Sequence, residues 1–403
     1  MRRVAVTGLG VISAIGGDTR QFLDSLQAGR SGIRPLQAVD SALLRFKNGA
    51  EVAGFDPLAS FDPKQTDLLD RFAQFAAVAA REAVRDSGLE WTAAAKERTA
   101  VVTGCCVGGQ ATEDAAFVDL YRHNKPRVNP MSIPRIMANA GASFVSMDMG
   151  FTGPVFTVST ACASANHAIG QAFLMVRSGM VDAALTGGSE AIFSYGFLKA
   201  WEAMRVVSPD TCRPFSRDRQ GLILGEGGAM LVLEEMDEAR ARGARIYAEL
   251  AGFGMSADAH HITQPTWEGP AAAMRAALES ASLAPADVGY INAHGTGTLA
   301  NDATETKAIR AVFGESADRL VVSSTKSMHG HALGAAGAIE AAACALSLHH
   351  GFVPPTANYT APDPACDLDV APNEARQLRV GAALSNAFAF GGLNAVLAFR
   401  AVR

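Results

Sequence analysis

One thiol, two imidazoles and one ammonium group stand where an active site could use them. Cys162 lies in the stretch Pro154-Val-Phe-Thr-Val-Ser-Thr-Ala-Cys-Ala-Ser-Ala-Asn-His167. A β-branched run ends near Thr160 and an Ala-rich helical pattern follows. That places the thiol at a strand-to-helix turn, where a helix N-terminus is expected to favour thiolate and lower the pKa. His294 sits in Asn292-Ala-His-Gly-Thr-Gly-Thr298, a Gly/Thr loop after one strand. Lys326 and His331 sit in Ser323-Ser-Thr-Lys-Ser-Met-His-Gly-His331-Ala-Leu-Gly, after another. A cysteine served by imidazoles is the chemistry of covalent acyl transfer. A single buried cysteine more often just packs, as expected for Cys344 in its Ala-rich helix. Periodicity cannot bring the three segments together in space.

The elements that must position these groups read as an α/β protein with buried sheets. Strands are expected at residues 3–7, 99–103, 155–159, 183–186, 229–234, 288–292 and 320–323, and helices at 71–87, 165–178, 269–282 and 301–313. Residues 3–13 and 246–256 echo each other, each a strand pattern running into Gly-x-Gly. Either the chain is a duplicated half with a seam near residue 250, or two glycine turns resemble each other by chance. Gly8-Leu9-Gly10 lacks the third small residue of a dinucleotide loop, since Ser13 stands there, and is expected to be a tight structural turn.

Composition narrows the class. The chain has 403 residues, 49% hydrophobic, with 39 glycines and 7% aromatics, so Ala and Gly must make many of its contacts. A net charge of −5 gives no global basic field for nucleic acid. The six cysteines form no C-x-x-C pair and no disulfide-like spacing, which fits a reduced cytoplasmic setting without a zinc site. Residues 332–348 are apolar but contain Glu340. They read as a buried helix rather than a membrane span, and no signal peptide is apparent.

Four ordered stretches resemble the β-ketoacyl-acyl-carrier-protein synthase family, in its elongating type II branch. They are Thr160-Ala-Cys-Ala-Ser164, His294-Gly-Thr-Gly-Thr298, Thr325-Lys-Ser-Met-His-Gly-His331 with Gly334-Ala-Ala-Gly337, and Asn386-Ala-Phe-Ala-Phe-Gly-Gly392. Residues 201–227 and 354–373 are most similar to the nodulation-protein-E branch. The resemblance implies a thiolase-like fold, layered αβαβα, with two similar halves at residues 1–250 and 251–403. It implies a decarboxylative condensation. Cys162 takes an acyl chain from acyl carrier protein, malonyl-carrier loses carbon dioxide, and a 3-oxoacyl-carrier longer by two carbons leaves. His294 and His331 would hold the malonyl thioester carbonyl, and Lys326 with Glu305 would form a charged pair near them. The backbone N–H groups of Cys162 and Phe390 would form an oxyanion hole. Thr296 and Thr298 would bind the phosphopantetheine arm, and Phe388 and Phe390 would form a gate in a loop at 386–392. No metal and no bound cofactor are implied, because the pantetheine arrives on the carrier.

Several positions depart from the family pattern. Val107 and Ser132 replace larger residues of the acyl pocket and would enlarge it, and Ala389 replaces a gate glycine and would slow the gate. Cys106 replaces a glycine and reads as packing. Carrier docking would use Arg205, Lys125 and Arg127, with Lys64 and Arg71 in a region where a denser basic cluster is usual. The expected assembly is a homodimer or a heterodimer with a chain-length-factor-like subunit, with no nucleic-acid or membrane partner. Three rival readings make distinct demands. A cysteine hydrolase would need one histidine with an orienting Asn or Asp, a non-catalytic chain-length factor would lack Cys162, and a thiolase would carry a second cysteine where Phe388 and Phe390 stand.

Overall fold

The computed structural model describes residues 1–402 and contains a ten-stranded mixed sheet. Its strands are β1 (Val4–Ser13), β2 (Thr99–Gly104), β3 (Val155–Val158), β4 (Ala183–Glu190), β5 (Gly227–Glu235), β6 (Ala248–Ala257), β7 (Val288–Asn292), β8 (Val321–Ser323), β9 (Ala382–Ala389) and β10 (Leu393–Arg400). Across the sheet they run β3-β2-β4-β5-β1-β6-β10-β9-β7-β8. Read inward from each edge, the two halves have the same order, the second being the first with five added to each label. The directions repeat as well. β2 lies parallel to β3 and β4, and β7 lies parallel to β8 and β9, while the remaining pairs are antiparallel. The halves join where Val4, Ala5 and Val6 of β1 pair with Leu250, Glu249 and Ala248 of β6.

Helices cover both faces of each half, which is why the inner strands are apolar without alternation. The main ones are α1 (Arg71–Ser87), α2 (Ser164–Ser178), α3 (Glu268–Ala281), α4 (Leu299–Phe313) and α5 (Ala336–His350). α1 begins at Asp70, whose carboxylate accepts the Phe72 N–H, and ends at left-handed Gly88. It lays Phe72, Phe75, Ala76, Ala79, Ala80 and Ala83 on the outer face of β1, β4 and β5. α3 covers β6 and β10, and α4 packs on α3. α2 and α5 lie between the half-sheets and touch strands of both, giving the layers αβαβα. In α5 every residue from Ala336 to Leu348 is buried, which its Ala-rich composition permits.

Gly8 and Gly10 are not a turn; they lie inside β1. A Cβ on Gly8 would stand 2.2 Å from the Ala83 carbonyl oxygen, and one on Gly10 would stand 2.0 Å from that of Ala79. Gly252 and Gly254 in β6 meet Ala277 and Ala273 of α3 in the same way, at 2.5 and 2.2 Å. The echo between the two segments is therefore one packing device used twice, a helix backbone laid directly on a strand.

Candidate active site

Cys162 stands at a sharp elbow between β3 and α2. Ala161 has φ of 49°, the left-handed region that a non-glycine residue adopts only when its surroundings hold it there. Ser164 does the holding: its Oγ accepts the Thr160 N–H at 2.9 Å and donates to the Ala161 carbonyl at 2.6 Å. The small residues of Thr160-Ala-Cys-Ala-Ser164 thus have a geometric reason.

His294 follows β7, and two carboxylates of α4 fix its loop. Glu305 accepts the backbone N–H groups of His294 and Gly295, each at 2.8 Å, and Asp302 accepts that of Gly297 at 3.2 Å. His331 follows β8 after the short helix Lys326–His329 and is strapped through its own N–H to Ile223 O at 2.7 Å. The two imidazole rings meet edge to face, 5.5 Å apart. Both are almost wholly buried, and both line one pocket with Cys162, Thr296, Thr298, Phe388 and Phe390.

Lys326 is fully buried and does not line that pocket. Its Nζ donates to Glu340 Oε1 at 2.5 Å, to the His294 carbonyl at 2.7 Å, and toward His294 Nδ1 at 3.4 Å. This corrects the expected Lys326–Glu305 pair. The partner is Glu340, and Glu305 is already taken by backbone amides and by Asn386 Nδ2 at 3.1 Å. Because the ammonium has only protons to offer, His294 Nδ1 is the acceptor, and the ring proton is on Nε2. Burial, followed by Lys326 and the other imidazole, holds His294 well below the usual histidine range. Burial, followed by Lys326 and His329, does the same for His331. Both rings are therefore neutral at physiological pH.

The thiol behaves differently from the sequence expectation. Burial dominates and pushes Cys162 up to about 11, with Lys326 and the backbone N–H groups of Phe390 and Cys162 itself pulling in the opposite direction. A helix terminus cannot outweigh the loss of water around a charge at a site this enclosed. The resting species is therefore the thiol. Those two N–H groups nevertheless lie close enough to the sulfur to favour its ionised form.

The gate is shorter than expected. Asn386 to Ala389 belong to β9, and only Phe390, Gly391 and Gly392 form the turn into β10. Val107 and Ser132 do not line the Cys162 pocket. Val107 packs with Cys106 against the core cluster that contains Cys162, while Ser132 opens a short helix on an exposed face. Arg71 cannot serve a docking partner as drawn from the sequence. It is bound to buried Glu226 at 2.7 Å with its guanidinium over Phe75, and removing it would strand that carboxylate. Lys125 pairs with Asp119 at 2.9 Å, whereas Lys64, Arg127 and Arg205 are exposed without a carboxylate partner among the described residues.

Two groups escaped the sequence reading. Glu190 ends β4 and accepts the N–H groups of Cys106 and Gly334, fixing the elbow's neighbours; burial pushes it up to about 7. The stretch 258–265 lines the pocket mouth with Asp258, His261 and Ile262, and Gly391 N–H donates to Ile262 O at 2.7 Å. A polar His-His-Ile-Thr-Gln-Pro run between a strand and a helix was the only signal for it.

Comparison with known proteins agrees with this geometry along the whole chain. Residues 1–239 match the N-terminal domain of beta-ketoacyl synthase and residues 247–360 its C-terminal domain. The chain is 51% identical over 403 residues to nodulation protein E of Rhizobium sp. (strain N33), covering all of both chains. It is 42% identical over 406 residues to 3-oxoacyl-[acyl-carrier-protein] synthase 2 of Staphylococcus aureus (strain COL), covering 99% of this chain and 98% of the relative. Among solved structures, the ishigamide ketosynthase/chain length factor superposes with a TM-score of 0.96 at 38% identity, over all of both chains. The beta-ketoacyl synthase from Burkholderia phymatum STM815 gives 0.92 at 36%, again over all of both chains. The thiolase-like layering, the elbow cysteine and the paired histidines have one common account: the chain belongs to the β-ketoacyl synthase family and is a condensing acyltransferase.

Proposed function

We propose that the pocket divides the condensation among its residues as follows. Cys162 Sγ attacks the carrier-bound acyl thioester, and the thiol proton ends on the carrier sulfur, which leaves as the free thiol. Malonyl-carrier then loses carbon dioxide. Nε2–H of His294, with His331, stabilises the enolate that forms on the thioester oxygen. Neutral donors in a dry site suit this task, since charge develops there with little reorganisation. The enolate carbon attacks the acyl-Cys162 carbonyl, the Phe390 and Cys162 N–H groups hold the oxyanion, and collapse releases the 3-oxoacyl product and Cys162 as thiolate, which takes a proton from solvent to restore the thiol. Lys326 fixes the His294 tautomer, Glu305 fixes its loop, and Thr296 and Thr298, whose hydroxyls meet at 2.8 Å, flank the arm of the carrier. The observation that carries this reading is that Cys162, His294 and His331 share one pocket wall with the Phe390 N–H directed at the sulfur. Intact-protein mass spectrometry after exposure to acyl-carrier tests it. An acyl adduct on Cys162 is expected, and an adduct elsewhere sinks the assignment.

Chain-length selection is assigned to Val107, which packs against the core cluster that contains Cys162. Val107→Phe should block long acyl chains and spare the shortest, read as acylation rate against chain length. An unchanged profile would mean that the chain runs elsewhere.

The acyl carrier docks at Arg205, which caps the helix Tyr195–Met204 beside two pocket-lining residues, Trp201 and Val206. One solved neighbour, at TM-score 0.89 and 32% identity over all of both chains, is a ketosynthase in complex with its acyl-carrier protein. Arg205→Glu should raise KM for carrier-bound substrate and reduce its salt dependence while a small thioester turns over normally. Equal loss with both substrates would place Arg205 in folding instead.

The molecule pairs through the open edge of β3. Phe156 is exposed there, and Phe117, Tyr121, Ile133 and Met147 are exposed on the neighbouring helices. An unpaired edge beside exposed apolar side chains favours a second chain, identical or chain-length-factor-like. Phe156→Asp is expected to yield monomers in size-exclusion chromatography, and an unaltered dimer would contradict this face. The setting is proposed to be cytoplasmic.

A further inference from the structure

Phe390 is held from two sides of unequal stiffness. On one side its ring stacks on Trp201, with centroids 6.2 Å apart and planes 24° from parallel. Trp201 lies on the helix Tyr195–Met204 with Leu198 buried beside it and Phe197 edge-on to its indole at 6.3 Å. Glu202, the next residue, accepts the Arg45 backbone N–H, and Lys199 on the same helix donates to the Leu43 carbonyl at 3.2 Å, so the helix is tied to residues 43–45. On the other side Phe390 leads into Gly391 and Gly392, at φ of 83° and 69°; Gly391 N–H donates to the carbonyl of exposed Ile262 at 2.7 Å, and the Gly392 carbonyl accepts the Asp258 N–H at 2.9 Å. An indole on a packed helix thus faces a ring whose following turn consists of two glycines held by hydrogen bonds to their backbone groups. Cys162 is only 7% exposed in this arrangement, and Val107 does not line the open pocket.

We infer that Trp201 is a specificity-determining residue: its indole latches Phe390 in the closed position, so that an acyl chain reaches Cys162 only when it buries enough apolar surface to displace the ring. The inference rests on the acyl-transfer role proposed above. A stacked aromatic pair biases the closed state about two- to tenfold. Each buried methylene gains about fourfold in binding. The latch therefore sets a threshold worth one or two methylenes, felt by short chains and overwhelmed by long ones.

The test is the rate of Cys162 acylation along a ladder of saturated acyl thioesters, followed by intact-protein mass spectrometry. Trp201→Ala is expected to raise the rate for the shortest chains about two- to tenfold and to leave the longest unchanged. Trp201→Leu keeps apolar bulk without stacking and should give the same profile if the alanine variant fails to fold. Trp201→Phe should retain most of the discrimination. Normal acylation of the wild type with a Trp201→Ala or Trp201→Leu profile that is flat, or shifted equally at every length, overturns the latch alone. No Cys162 adduct with any thioester in the wild type overturns the acyl-transfer role and the latch with it.

Discussion

Cys162→Ala should abolish formation of 3-oxoacyl-carrier. Of the six cysteines only Cys162 lines the pocket with the two histidines, so no neighbouring sulfur can substitute for it. Covalent catalysis depends on a nucleophile that first accepts and then surrenders the acyl group, and a methyl group does neither. The histidines and their supports are untouched by the change, so carbon dioxide release from malonyl-carrier should persist. Chromatography of the products with mass detection separates the two. Persistent 3-oxoacyl product would refute the role of Cys162. Release of free fatty acid by the wild type without malonyl-carrier would instead favour the hydrolase reading.

His294→Ala and His331→Ala should each slow the malonyl half-reaction about a hundred- to a thousandfold, the usual cost of losing a preorganised donor to a developing oxyanion. Acylation of Cys162 should suffer less, because the Phe390 and Cys162 N–H groups that serve it come from the backbone. His294→Ala carries an additional cost, since Lys326 loses its Nδ1 acceptor while remaining bound to Glu340 and to the backbone carbonyl of residue 294. Pre-steady-state acylation and carbon dioxide release, measured separately, decide the matter. Normal malonyl turnover with stalled acylation would reverse the assigned roles.

What could be read in the sequence was what local pattern controls. α1 and β7 fall at the expected residues, 71–87 and 288–292, because apolar periodicity, the Asp70 cap and Gly88 all act within a few residues. β1 was underestimated. Its glycines suggested a turn, and the reason they extend a strand instead is the backbone of α1, which sits some seventy residues downstream. The pairing of Lys326 with Glu340 rather than Glu305 had the same cause. Both carboxylates lie on helices that approach the site, and only the packing of α5 decides which one reaches Nζ. Glu340 was visible as a charge inside an apolar helix, where it argued only against a membrane span. The thiol's pKa depended on depth, which no local pattern records: the elbow and the helix start were legible, and the enclosure that outweighs them was not.

The seam between the half-sheets bears on how the chain is made. β1 is synthesised well before both of its partners, since Val4 has Glu235 on one side and Leu250 on the other. At about 5–20 residues per second, the ribosome needs on the order of ten seconds or more to deliver both partners. Throughout that interval β1 is an apolar segment, buried at all ten positions in the finished protein, with neither neighbour available. Such long-range pairing closes late and leaves a sticky edge exposed meanwhile. A chain truncated before residue 248 would retain that edge permanently, so neither half is expected to accumulate as a soluble fragment. Biosynthesis of this enzyme therefore depends on shielding β1 until the seam can close.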